Sequence, residues 1–259
     1  MPAEVVKESM MHEFDVGRIV DDLDAVFRET GNSEDAGYMR SYLKSDLEFH
    51  GVKTAGIRKQ TSAFARAHRD LTRDQAIALA RACWERPVYE VKSFAVGMLT
   101  RFVNRLEPRD LSVVEELVRN SHTWAFVDSL ATKVGADLVE RHPDPGVVLD
   151  RWAEDENFWI RRTAMLVLLP SLSHDRGDLD RFLGYADAML DETEFFIRKA
   201  IGWVLREVSK SDPTSVYDFV RPRTDRISGV TIREAAKYLP NEQKDELMTA
   251  YRERLGRTR

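Results

Sequence analysis

One short pattern recurs six times along the chain: a branched apolar residue followed by a charged one. The copies are Ile57-Arg58-Lys59, Val91-Lys92-Ser93, Val127-Asp128-Ser129, Ile160-Arg161-Arg162, Ile197-Arg198-Lys199 and Ile232-Arg233-Glu234, spaced by 34, 36, 33, 37 and 35 residues. A period of this size leaves room for about two helices of three turns per copy. A helix pair cannot bury its apolar face alone, so a chain built this way must stack successive pairs and bury a continuous core between them.

The residues between the copies agree with helices. Val91, Phe94, Ala95, Met98 and Leu99 recur at helical spacing, as do Ile160, Ala164, Val167 and Leu168, whereas alternating strand patterns are scarce. Thr72 to Gln75 fits a capping box, and Asp144-Pro145 and Asp212-Pro213 each set a cap residue ahead of a proline. The expected fold is all-α: a HEAT-like array of about six helix pairs, curved into a solenoid with a basic concave groove. Residues 1–16 have weak periodicity and are expected to form an N-terminal arm, with a single domain over 17–259.

Composition narrows the chemistry. The 259 residues carry a net charge of −5, so any nucleic-acid binding must rest on local clustering of cations. The single cysteine, Cys83, permits no intramolecular disulfide and no cysteine-pair zinc site, and its setting beside Trp84 predicts a buried thiol. The six histidines have no metal-ligand spacing, and no Gly-rich phosphate loop, HExxH helix or GxSxG elbow is present. No apolar run approaches membrane-spanning length, and the expectation is a soluble, cytoplasmic protein without metal or organic cofactor.

Five of the six repeated positions place Arg or Lys after the apolar anchor, and one places Asp128. Stacked repeats align equivalent positions, which predicts a basic stripe interrupted by one carboxylate. Trp124 lies four residues before Asp128 and would share its helix face. Two readings of that pair stay open on the residues alone: a core tryptophan with an inter-repeat salt bridge, or a reactive carboxylate beside an aromatic wall. In Phe195 to Glu207, Trp203 falls one residue outside the Ile197, Ala200, Ile201, Val204 stripe, at its edge. Adjacent Arg161 and Arg162 must point in different directions.

Leu47 to Thr54 followed by Ile57-Arg58, Trp124 to Ser129, Phe158 to Arg162, and above all Phe195 to Glu207 resemble the bacterial DNA alkylation repair family, the AlkD-like HEAT-repeat DNA glycosylases. The resemblance runs from about Tyr38 to Tyr238. It implies a monofunctional glycosylase that removes cationic N3- and N7-alkylated purines from duplex DNA, without a covalent enzyme intermediate, acting as a monomer associated with the nucleoid. It implies Asp128 as the catalytic carboxylate, Trp124 and Trp203 as aromatic walls of the site, and Arg162 and Tyr42 as DNA contacts. Lys53, Arg161, Arg198 and Lys199 complete the expected DNA-binding set. The chain departs from the family pattern at Ala125, where an acidic residue is usual, and at Ala55, where proline is. Two other classes fit the residues as well: a non-catalytic protein of the same fold that binds branched or distorted DNA, and a HEAT-type scaffold for protein partners.

Overall fold

The computed structural model describes residues 14–141 and 144–257; residues 1–13 of the expected arm, together with His142 and Pro143, lie outside them. Helices account for the architecture, and among the described residues the only β pairing is an isolated bridge between Glu48 and Val88. No described helix is long and apolar enough to cross a membrane. The chain divides into two compact units, one ending at Glu107 and the other starting at Pro108.

The first unit holds α1 (Val16–Thr30), α2 (Ser33–Leu43), α3 (Thr54–Ala67), α4 (Arg73–Glu85) and α5 (Tyr89–Arg101). Both α3 and α4 pack on α5, and α1 covers α4 and α5. Phe27, Leu79, Cys83, Phe94 and Met98 are fully buried between them. The expected capping box opens α4, with Thr72 and Gln75 exchanging side-chain and backbone bonds. The non-helical stretch before α3 is held by a buried carboxylate. Glu90 accepts from the backbone N–H groups of His50, Gly51 and Val52 at 2.8–3.1 Å, donors that α3 and the bridge leave unsatisfied. Gly51 sits at φ +83°, and a Cβ there would meet the Asn32 carbonyl oxygen at 2.0 Å, so the turn admits only glycine.

The second unit begins with α6 (Leu111–Arg119). It continues through α7 (Trp124–Ser129), a π-helical segment Leu130–Gly135, α8 (Ala136–Arg141) and α9 (Gly146–Ala153). Then follow α10 (Phe158–Leu166), α11 (Leu169–Leu172), α12 (Leu179–Ala188), α13 (Phe195–Val208), α14 (Pro213–Val220), α15 (Gly229–Ala235) and α16 (Asn241–Arg257). The helices bearing the repeated pattern stack in chain order, α7 on α10, α10 on α13 and α13 on α15. Gly202 sets the last spacing: a Cβ there would meet Glu234 Cβ at 2.8 Å and Thr231 Cα at 3.2 Å, so a side chain would push α15 away. Asp212 caps α14 ahead of Pro213 as expected, while at α9 the proline stands one place outside the helix and Asp144 accepts from Gly146 N–H.

The repeat register is visible in burial. Ile57, Val91, Val127, Ile160, Ile197 and Ile232 are all buried. The charged position after them does not form an open basic stripe. Lys92 is 4% exposed, with its ammonium over the Trp84 ring and donating to the Trp84 carbonyl at the end of α4. Burial pushes this lysine down to about 8, and burial likewise pushes the Cys83 thiol up to about 12. Arg161 grips Glu192 and the carbonyls of Asp155 and Glu156, and Arg198 donates to the Glu192 carbonyl at 2.6 Å. Only Arg58 and Arg233 stay exposed. The physical reason is position: a residue next to a buried anchor lies on the flank where the neighbouring repeat packs, and its cation bonds there.

Ion pairs therefore carry the repeat period. Glu115 pairs with Arg151, Arg119 with Asp155, Asp187 with Arg223, Asp128 with Arg162, and Lys199 with Glu234, each across about one repeat. Glu115 is the most heavily committed. It accepts from Arg151, Arg119 and the buried Trp152 indole, and these hydrogen bonds, led by Arg151, hold its carboxyl down at about 2.

Candidate functional site

The carboxylate picked out by the repeat register lies at the C-terminal end of α7. This helix starts at Thr123, whose side chain accepts from Ala125 N–H at 3.5 Å, and the preceding His122 turns the chain with φ +54°. Phe126 and Val127 point into the core, which leaves Trp124 and Asp128 together on the opposite, half-buried flank. After Ser129, the residue following Asp128, the helix widens into the π segment, a feature that often marks functional sites. The Thr132 hydroxyl donates to the Asp128 carbonyl at 2.7 Å across that junction.

Arg162 on α10 binds the carboxylate through both oxygens, Nε to Oδ1 at 2.8 Å and Nη2 to Oδ2 at 2.9 Å. Its third donor, Nη1, reaches the Phe196 carbonyl at the start of α13, 2.5 Å away, and its guanidinium carbon lies 5.8 Å from the Phe196 ring centre. One arginine thus ties α7, α10 and α13 together. The pair is asymmetric in exposure: the Arg162 side chain is 5% accessible and that of Asp128 15%. The acid is the more open of the two side chains. A planar, bidentate fork fixes the plane of the carboxylate as well as its position.

Arg162, expected to touch DNA, is instead engaged with protein groups on three sides. Arg161 is engaged too, so the two adjacent arginines do diverge but both brace the array. The structure therefore contains the inter-repeat salt bridge of the plainer reading of Asp128. It does not contain that reading's core tryptophan, because Trp124 is only half-buried.

Further along the same row, Trp203 is half-buried on α13, while Ile197, Ala200, Ile201 and Val204 are fully buried. Phe196, Lys199, Trp203 and Arg206 fall on one face of that helix by spacing. Lys199 donates to Glu234 Oε1 at 2.7 Å, and Arg206 bonds the other oxygen of the same carboxylate. These two hydrogen bonds, Lys199 foremost, lower the Glu234 carboxyl below its usual range. Glu234 occupies the third place of the last repeat copy, and its opposite sign to Lys199, one repeat earlier, is the sequence signal by which the pair could have been found. At the N-termini of α10 and α13, Phe158, Trp159 and Phe196 form an aromatic cluster with centroids 4.4–6.5 Å apart, which Phe195, itself 52% exposed, extends.

The remaining expected residues belong to the first unit. Tyr42 is 60% exposed and stacks on Tyr38 at 6.2 Å with rings 7° from parallel. Lys53 precedes α3, is largely exposed and pairs with Asp35 at 3.1 Å.

The fold recurs in known proteins. No curated protein matches the chain. Among solved structures, a predicted DNA alkylation repair enzyme from Enterococcus faecalis aligns with a TM-score of 0.74 at 24% identity, covering 82% of this chain and 97% of that one. The smu.31 protein of Streptococcus mutans UA159 aligns at 0.54 and 19% identity, covering 71% of this chain and 98% of that one. AlkD2 of Streptococcus mutans aligns at 0.55 and 15% identity, covering 92% of this chain and 97% of that one. At these identities the likeness speaks for the fold. The profile of the DNA alkylation repair enzyme family matches residues 23–239, a span that includes Asp128, Arg162, Trp124 and Trp203. The chain belongs to the DNA alkylation repair enzyme family.

Proposed function

We propose that this protein is a monofunctional DNA glycosylase that hydrolyses the N-glycosidic bond of N3- or N7-alkylated purines in duplex DNA. The observation that carries the reading is the Asp128 carboxylate, partly open to solvent and clamped in one orientation by a buried arginine, within a chain of this repair family.

The chemistry matches such a site. Alkylation at N3 or N7 makes the purine cationic, so it leaves without a general acid. As the bond breaks, the sugar gains oxocarbenium character. Asp128 stabilises that developing charge and orients the attacking water. Trp124 and Trp203 pack on the deoxyribose and add cation–π attraction to its positive charge. The reaction uses no metal or organic cofactor and forms no bond between enzyme and sugar. Arg162 acts as a positioning residue, because it is buried and all three of its guanidinium nitrogens bond to Asp128 or Phe196. Lys53 and Tyr42 of the first unit and Lys199 of the second supply contacts to the DNA backbone, which give affinity that falls with salt and little sequence preference.

A second reading has one observation in its favour. The Arg162–Asp128 pair satisfies both partners within the fold, as a purely structural pair in a non-catalytic DNA-binding protein would. Incubating the protein with methylated duplex DNA and measuring free 3-methyladenine and 7-methylguanine by chromatography separates the two. Release that depends on Asp128 supports the glycosylase, and tight, salt-sensitive binding without release supports the alternative.

A further inference from the structure

The face of α13 that carries Phe196, Lys199, Trp203 and Arg206 continues at the same spacing to Lys210, just past the end of the helix. At 1.5 Å per residue this row extends on the order of 20 Å from the Phe196 carbonyl that Arg162 holds. It ends in an arrangement the proposed reaction does not use. The Lys210 ammonium lies 5.3 Å from the centre of the Tyr238 ring, and the Lys237 ammonium lies 5.7 Å from the same centre. Tyr238 is 48% exposed, so the ring is no part of the core.

The charges do not balance there. Lys199 and Arg206 share Glu234, and Arg206 and Lys210 share Glu207. Lys237 has no carboxylate partner among the described residues. Four cations thus face two carboxylates, on a protein whose net charge is −5. Two ammonium groups held near the same exposed ring repel each other, and a cation–π contact at an exposed site offsets little of that. A bound anion would relieve the repulsion. The ring adds a flat apolar surface and a hydroxyl at the same place, which suits a sugar–phosphate chain better than a free ion.

We propose that Lys210, Lys237 and Tyr238 form a distal clamp for the phosphate backbone of duplex DNA, in which the two ammonium groups neutralise phosphates and the tyrosine packs against the intervening sugar. The clamp reads no base, and it acts on binding rather than on the bond that breaks. It rests on the DNA-repair reading above, and its test keeps the two apart.

The test measures binding of an undamaged duplex by fluorescence polarisation across a salt titration from low to physiological strength, for the full chain and for the Lys210→Ala/Lys237→Ala double variant. Release of methylated bases is measured alongside at saturating protein. The double variant is expected to show a salt dependence less steep by about one to two in the log–log slope, one for each phosphate no longer neutralised. Its affinity at low salt should fall by about tenfold or more, on methylated and unmethylated DNA alike. Tyr238→Ala should weaken binding with little change of slope, and Tyr238→Phe should retain most of it. Lys237→Gln, a change at an exposed side chain, gives a second reading of the slope if the double variant does not fold. A folded variant with the original affinity and slope overturns the clamp and leaves the glycosylase reading standing. A wild-type protein that does not bind duplex DNA at low salt overturns both.

Discussion

Arg162 holds Asp128 through both carboxylate oxygens from a side chain that is itself almost completely buried, and donates from Nη1 to the Phe196 carbonyl at the start of α13. The carboxylate is therefore a fixed feature of the stacked row α7–α10–α13 rather than a mobile surface acid.

If Arg162 positions Asp128, its conservative replacement should damage chemistry more than binding. Arg162→Lys keeps the charge but loses the planar fork. Base release should fall by about 10²-fold, the cost of a misplaced catalytic group, with the DNA salt slope unchanged. A slope less steep by about one would instead make Arg162 a phosphate contact. Arg162→Ala should cost about 3–5 kcal/mol of stability by stranding a partly buried carboxylate, measured by denaturant unfolding.

Trp203 is predicted to act through its ring. Trp203→Ala should slow release at saturating protein by about tenfold, the value of roughly one cation–π contact in the transition state, and Trp203→Phe should recover part of it. An unchanged rate in a folded Trp203→Ala protein would remove this residue from the mechanism.

Gly202→Ala tests the spacing of α13 and α15. The added methyl meets Glu234 Cβ at 2.8 Å and Thr231 Cα at 3.2 Å, and the Glu234 side chain is already tied to Lys199 and Arg206. Stability should drop by about 1–3 kcal/mol, seen as a lower melting temperature.

Glu115 gives a pH prediction. Its folded carboxyl titrates at about 2, below the ordinary value of 4.5, so its contribution is fully present above pH 4.5 and is lost as pH falls from there towards 2. Glu115→Gln should lower stability by about 2 kcal/mol at neutral pH, and the gap to wild type should close across that acid window. A gap that stays constant from neutral pH down through that window would mean that hydrogen bonding to the neutral amide, not charge, sets the cost.

The fold was legible because a repeat register is a one-dimensional signal. Burial of Ile57, Val91, Val127, Ile160, Ile197 and Ile232 follows from spacing alone, as do the Thr72–Gln75 capping box and the Asp212–Pro213 helix start. The fate of the charges was not legible in the same way. Neighbouring arginines on a helix point in different directions, and which one meets a carboxylate depends on how closely two helices approach. So the partner of Asp128 is Arg162, while the repeated position, Arg161, turns to Glu192. Nor does sequence disclose that Lys92 ends on the Trp84 carbonyl, because a lysine reads as surface until a helix end is seen beside it. The π segment after Asp128 has no local composition signal at all. Resemblance to a family supplied the roles proposed for Trp124, Trp203 and Asp128 and named Arg162 as a DNA contact, whereas the geometry pairs Arg162 with Asp128.

Asp128 is proposed to drive base release. The direct measurement is the single-turnover rate of free methylpurine release from methylated duplex DNA, for wild type and Asp128→Asn at saturating protein, with folding checked by circular dichroism. The predicted result is release by the wild type and a loss of at least about 10²–10³-fold in the variant, with DNA binding retained. Release by Asp128→Asn at the wild-type rate would contradict it.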